Sequence, residues 1–276
     1  MSAFAASPPP VSGGEADTAH PEVVLLLLGD AAGDPLGVCT GTRVSPTAVL
    51  TAAHCLDASA GPAPAQVWVV SAPALSDATT AGTVAATGWE PHPDADPLTG
   101  AADLAVVTHP TVAGPVAAID LTPLTAAHLD AELLLVGYGG TAEADPNDDP
   151  SRRAATVPLY DLDAALLYTW TPAANACAGD SGGPLFRRRA DGELAIVGLV
   201  SFTSGCEGGG LGGPRVAPAA AWLAELVPEV RLLAAEAPTD TGDTPPPDDC
   251  GCAHTGALPA AGTLAAWVAM CRRKRR

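Results

Sequence analysis

The sequence predicts an all-β fold. Three observations carry that reading. Among 276 residues there are 29 glycines and 28 prolines but only 4% aromatics, the apolar residues fall in short runs broken by Gly, Pro, Asp and Thr, and one stretch alone has helical spacing. Glycine supplies backbone conformations closed to other residues, and proline fixes φ and removes a donor. Their abundance therefore punctuates a chain into short segments joined by tight turns rather than long helices. With 47% hydrophobic residues, the chain has enough apolar side chain to bury a sizeable core.

Taken in order, the clearest strand candidates are Val23 to Leu28, Gly41 to Val44, Ala48 to Ala52, Gln66 to Val70, Leu104 to Val107, Leu133 to Val136 and Leu194 to Val200. Each is a short apolar run bounded by turn residues. Their spacing suits a sandwich or a barrel. A helix is expected at Ala219 to Val227, where Trp222 falls over Leu226 and Leu223 over Val227, capping the core. Composition then shifts. Residues 236–249 are rich in Pro, Thr and Asp with almost nothing to bury, so they read as an extended linker. Beyond it lie Cys250 and Cys252, an apolar stretch from about Ala253 to Cys271, and five basic residues. At 1.5 Å per residue that stretch would cover only about 27 Å, a marginal bilayer span, and a solvated tail helix is the plainer alternative.

Basic residues number 13 against 31 acidic ones, and five of the basic ones are the last five of the chain. The body is therefore more acidic than the formal net charge of −18 suggests. Such a body repels phosphate backbones, which excludes nucleic acid as a partner and suits solubility outside the cell. Seven cysteines fall at 39, 55, 177, 206, 250, 252 and 271. Two disulfides among the first four would imply an oxidising compartment; four buried free thiols is the competing reading. Residues 1–10 read as a residual signal or pro-segment: they lack a basic region and a long apolar run, but Ala3-Phe4-Ala5 has the small-x-small pattern of a cleavage site. No metal cluster and no cofactor motif stands out.

An unactivated serine hydroxyl is a poor nucleophile, so a serine hydrolase needs a base, a group to hold that base, and donors for the oxyanion. The segment Cys177-Ala-Gly-Asp-Ser-Gly-Gly-Pro184 sets Ser181 among three glycines, where the backbone can turn sharply. Gly179-Asp-Ser-Gly-Gly183 alone also fits the G-x-S-x-G elbow of α/β-hydrolases, whose triad runs Ser, Asp, His. Here the only histidine after Ser181 is His254, beyond the linker, whereas His54 and Asp103 both precede the serine. His54 follows the apolar run Ala48 to Leu50, and Asp103 opens Asp103-Leu-Ala-Val-Val107. A carboxylate there could accept the His54 Nδ1 proton. The order His, Asp, Ser is that of chymotrypsin. His20, His92, His109 and His128 lie beside proline or in polar sequence and are expected at the surface.

Together the TAAHC, DLAVV and CAGDSGGP segments resemble the trypsin-like serine protease family, from about Val11 to Val227. Further matches are Gly37-Val-Cys39-Thr-Gly41, Gly137-Tyr-Gly139-Gly-Thr141 and Val200-Ser201-Phe-Thr-Ser-Gly-Cys206. The resemblance implies two antiparallel six-stranded β-barrels with the triad His54, Asp103, Ser181 at their junction, within a protease domain over residues 11–235. It also implies disulfides Cys39–Cys55 and Cys177–Cys206, and an oxyanion hole from the N–H groups of Gly179 and Ser181. Asp180 would receive the α-amino group freed at Val11, in a segment Val11-Ser-Gly-Gly14 that departs from the family pattern at Pro10 and Ser12. Counting back from Ser181 places Asn175 at the base of the primary pocket, with Ser201 and Thr203 on its wall. An Asp at 175 would select Lys or Arg; Asn, with Thr203 in place of glycine, favours small or medium neutral side chains.

Residues 250–276 resemble a bacterial C-terminal sorting signal of the MYXO-CTERM kind, with Cys250 or Cys252 as the processed site. The expectation is a monomeric serine endopeptidase acting on protein or peptide, secreted or held at the bacterial cell surface, touching membrane only through its tail. A catalytically silent protease-like binding module is the alternative.

Overall fold

The computed structural model describes residues 11–59, 61–140, 150–206 and 209–237. Cys250, Cys252, the linker from 238, the apolar stretch and the first ten residues lie outside the described residues. In chain order the strands are β1 (Glu15–Ala16), β2 (Val23–Gly29), β3 (Pro35–Ser45), β4 (Ala48–Thr51), β5 (Gln66–Val70) and β6 (Thr83–Ala85). They continue with β7 (Gly88–Pro91), β8 (Ala105–Thr108), β9 (Ala118–Asp120), β10 (Glu132–Gly137), β11 (Arg153–Leu162) and β12 (Leu166–Thr171). The last are β13 (Pro184–Arg188), β14 (Leu194–Leu199), β15 (Phe202–Thr203), β16 (Gly209–Pro214) and β17 (Arg231–Leu233), with α1 (Ala220–Leu226) before β17.

These strands form two sheets. The first is seven-stranded in the order β6-β5-β2-β3-β4-β8-β7, and the second is ten-stranded in the order β15-β16-β12-β11-β10-β13-β14-β9-β17, with β1 added on β11. Pairing is antiparallel except where β9 meets β14 and β17. The fold is all-β with two sheets and one short helix near the end, as the sequence predicts. Short edge pieces raise the strand counts above six.

Strands read from the sequence are the ones whose apolar runs lie between two partners. β2, Val-Val-Leu-Leu-Leu-Leu-Gly, sits between β3 and β5, and its first four residues are buried on both faces. A doubly covered strand has no polar face to show, so it appears as a continuous run. β16, Gly-Gly-Leu-Gly-Gly-Pro, has no such run, yet it pairs along its length with β12. Its glycines are there for clearance: a Cβ on Gly213 would lie 1.8 Å from the Leu199 carbonyl oxygen.

The largest core cluster joins both sheets, with Leu25, Leu50 and Val106 from the first meeting Ile119, Val136 and Phe186 from the second. The helix closes this core. Leu223 is fully buried and Val227 nearly so, whereas Leu226 is exposed, so the Leu223–Val227 pair does the capping. Burying a leucine contributes about 1.5–3 kcal/mol. One surface expectation is corrected: His109 is only 4% exposed. Its ring Nδ1 meets the Pro110 carbonyl oxygen at 2.7 Å, which satisfies one nitrogen and lets the ring be buried neutral, with burial lowering its pKa.

Candidate active site

The two sheets meet where β4 ends. His54 sits in a single 3-10 turn, Ala53–Cys55, directly after that strand. Asp103 precedes β8, which pairs with β4, so the pairing carries the two side chains to the same end. Asp103 is 3% exposed and holds His54 twice. The His54 backbone N–H donates to Oδ1 at 2.9 Å, and ring Nδ1 meets Oδ2 at 2.6 Å. Ser201, at the start of the β15 segment, donates its hydroxyl to the same Oδ2 at 2.5 Å. Burial works to raise the Asp103 pKa, but the hydrogen bond and charge of His54, with Ser201, outweigh it and hold the carboxyl below its ordinary value.

Ser181 arrives from the second sheet, on the turn before β13. Its carbonyl oxygen accepts from Thr40 N–H at 2.9 Å. The next residue, Gly182, has φ +79, and a Cβ there would lie 2.1 Å from Thr51 Oγ1 and 2.7 Å from Ala52 N. Only glycine lets the serine turn press this closely on the histidine segment. Ser181 Oγ has no hydrogen bond among the described residues. The contact to a catalytic base is often long in an unliganded site and tightens with substrate. Two cavities meet at Ser201: one of about 460 Å³ that Ser181 lines, and one of about 360 Å³ lined by His54 and Asp103.

Around Ser181 the amides are sorted. Asp180, Gly182 and Gly183 donate to Cys177, Val200 and Asp180 carbonyl oxygens respectively. Those of Gly179 and Ser181 take part in no backbone hydrogen bond among the described residues, and Gly179 has φ +99. A pair of unspent N–H groups beside a hydroxyl can donate to a negative oxygen. The disulfide Cys39–Cys55 ties the histidine segment to β3, and Cys177–Cys206 ties the serine turn to the wall after β15.

Asp180 is wholly buried, taking N–H groups of Gly139 at 2.7 Å and Cys177 at 2.8 Å. Burial, only partly offset by those donors, pushes its pKa up to about 7. A Cβ on Gly137 or Gly139 would lie 2.0 or 2.3 Å from its carboxylate oxygens. Val11 is fully buried, and Ser12 pairs with Asn175, whose N–H donates to the Ser12 carbonyl oxygen at 2.9 Å. Asn175 is 1% exposed, and its Nδ2 is spent on Thr203 Oγ1 at 2.9 Å and the Gly205 carbonyl oxygen at 2.5 Å. It braces the wall of the Ser181 cavity and does not line it.

Sequence reasoning missed Thr40. Its hydroxyl donates to the Gly179 carbonyl oxygen at 2.8 Å and accepts Tyr138 N–H at 3.0 Å. Its place between Cys39 and Gly41 was the available signal. Phe202, lining both cavities, was also missed.

A family model described as trypsin matches residues 12–223. The chain is 29% identical over 204 residues to a trypsin from Saccharopolyspora erythraea, covering 68% of this chain and 83% of that protein. It is 28% identical over 186 residues to glucanase inhibitor protein 1 from Phytophthora sojae, covering 61% and 69%. Among solved structures, HL collagenase aligns with a TM-score of 0.60 over 75% of this chain and 93% of that one, at 21% identity. That likeness concerns the fold.

Proposed function

Because the chain belongs to the trypsin family of serine endopeptidases, we propose that it hydrolyses peptide bonds with Ser181 as nucleophile, His54 as general base and Asp103 as the orienting carboxylate. The observation that carries this reading is the double hold of Asp103 on His54, beside a cavity that Ser181 lines. Asp103 fixes Nδ1 as the protonated nitrogen and leaves Nε2 as the base. As Ser181 Oγ attacks the carbonyl carbon, Nε2 takes the hydroxyl proton, and the carbonyl oxygen becomes an anion held by the N–H groups of Gly179 and Ser181. Collapse breaks the C–N bond while His54 returns the proton to the leaving amine, giving an acyl-serine. His54 then takes a proton from water as its oxygen attacks the acyl carbon, the C–Oγ bond breaks to free the acid, and His54 returns the proton to Ser181 Oγ.

The primary pocket takes small or medium neutral side chains in this reading. The buried Asn175 amide, its Nδ2 held by Thr203 and Gly205, offers no charge to Lys or Arg, and Thr203 adds bulk to the wall. Activation is by a cut before Val11. Support comes from the depth of Val11, from the wholly buried Asp180 carboxylate, and from a φ of 37 at Val11, strained for a β-branched residue, which the cut would abolish. A new ammonium would pair with Asp180 and hold it ionised. Secretion fits the two disulfides. Cys250 or Cys252 would be the processed site for display at a bacterial surface.

A second reading has a specific motive: a relative bears the name of an inhibitor, so a silent binding module on the same fold is its rival. Treatment of correctly processed protein with a phosphonofluoridate decides between them. Labelling mapped to Ser181 supports the enzyme; silence supports the binding module.

A further inference from the structure

Away from the candidate triad, Asp17 and Arg152 form a buried ion pair that no catalytic step uses. Their side chains are 5% and 4% exposed, with Nε donating to Asp17 Oδ2 at 2.9 Å. The main chains are also joined, Asp17 N–H donating to the Arg152 carbonyl oxygen at 2.9 Å. Asp17 further accepts Ala19 N–H, His20 N–H and His20 Nδ1. Residues 11–17 are thereby fastened to the start of β11, in register with the pairs Glu15 to Ala154 and Ala16 to Arg153.

The other end of Arg152 reaches Val23 and Tyr138. Nη1 donates to the Val23 carbonyl oxygen at 3.1 Å and to Tyr138 Oη at 3.3 Å. Tyr138 is fully buried, and its hydroxyl donates to the Ala72 carbonyl oxygen at 2.6 Å. Its backbone belongs to the serine turn's support. Tyr138 N–H reaches Thr40 Oγ1, which donates on to Gly179, and the next amide, Gly139, donates to Asp180. A set of buried polar contacts, joined through the Tyr138 residue itself, therefore runs from the segment behind Val11 to Gly179, which carries one of the two oxyanion amides, and to Asp180, which lies between them.

We propose that Asp17, Arg152 and Tyr138 form a latch that makes the geometry of the Gly179 and Ser181 amides depend on the seating of residues 11–17, with Arg152 as its positioning residue. This rests on the reading in which Val11 carries the mature α-amino group. A latch of this kind serves the transition state rather than substrate binding, because the oxyanion exists only after attack. Replacement of Arg152 by an apolar side chain strips Asp17 of its cation but leaves its carboxylate hydrogen-bonded to His20 and two amides, so a loss of stability is expected beside any change in kinetics.

The test uses the processed enzyme, with kcat and KM on a peptide substrate and the rate at which cyanate carbamylates the α-amino group. Both are read well below the melting temperature. Arg152→Met is expected to lower kcat about tenfold or more with KM nearly unchanged, and to speed carbamylation by a similar factor, the range of an ordinary coupling between sites. Arg152→Lys, which keeps the charge, is expected to recover most of both. A Met variant that melts lower yet matches the wild type in kcat and in amine reactivity would overturn the latch and leave the protease reading intact. A wild type whose Ser181 never reacts, or whose amine is as reactive as a free peptide's, would overturn the parent reading and the latch with it. Where Arg152→Met yields no soluble protein, Tyr138→Phe keeps the ring, removes the hydroxyl and is judged by the same outcomes.

Discussion

Asp103 grips His54 at two atoms, its Oδ1 on the backbone N–H and its Oδ2 on ring Nδ1. Main chain and ring are thus aimed by one buried carboxylate, which fixes the tautomer as well as the orientation. Asp103→Asn keeps the shape but can present an amide N–H to Nδ1 and so favour the wrong tautomer. The expected loss in kcat is about 10⁴-fold with little change in KM, measured with a chromogenic peptide. A loss below about tenfold would mean that the carboxylate is not needed to hold the base.

Asp180 makes the stability of the uncut chain depend on pH in an unusual direction. Its folded pKa stands near 7, above the ordinary carboxylate value of 3.8. A raised folded pKa gives a contribution that is full below the unfolded value and is lost as pH rises through the folded one. An uncut Ser181→Ala chain should therefore lose melting temperature between pH 5 and pH 8 relative to the same chain carrying Asp180→Asn. Comparing the two removes the opposing effect of His109, whose pKa is lowered by burial. Parallel curves would count against a buried, unpaired Asp180. Asp103 and Asp17 act at the other end, where their lowered pKa values give stability that is lost as pH falls through the acid range.

Specificity should follow the wall residues. A peptide-library profile of the wild type is expected to favour small or medium neutral residues before the cut. Thr203→Gly should raise kcat/KM for Phe or Tyr there by about tenfold, the scale set by a few methylene-sized volumes. A wild-type profile dominated by Arg or Lys would refute the role given to Asn175.

The Cys177–Cys206 bridge closes 29 residues of sequence that hold both the serine turn and the cavity wall. Its removal by Cys177→Ala with Cys206→Ala should cost about 2–4 kcal/mol by chemical denaturation. It should also lower kcat/KM, since Ala178 and Gly205 on the two sides of the same cavity lose their tie. Unchanged kinetics at lower stability would limit the bridge to a structural role.

The sequence made some of this legible and hid the rest for physical reasons. β2 announced itself because both faces are covered. β16 did not, because four of its six residues are glycines kept small by a neighbouring backbone and by the Phe202 ring. His54, Asp103 and Ser181 could be picked out because their local segments are distinctive and their order separates rival folds. The Asp17–Arg152 pair could not, since its partners are 135 residues apart and neither sits in a recognisable segment. His109 misled because a ring beside proline looks like a loop residue, whereas that proline's carbonyl holds its Nδ1 within the core.

The most direct measurement is to mix the processed protein with an activated peptide ester and follow intact mass over the first turnovers. An acyl adduct on Ser181 is expected to form and decay in the wild type and not to form in His54→Ala. An adduct on another residue, or one that forms equally fast without His54, would contradict it.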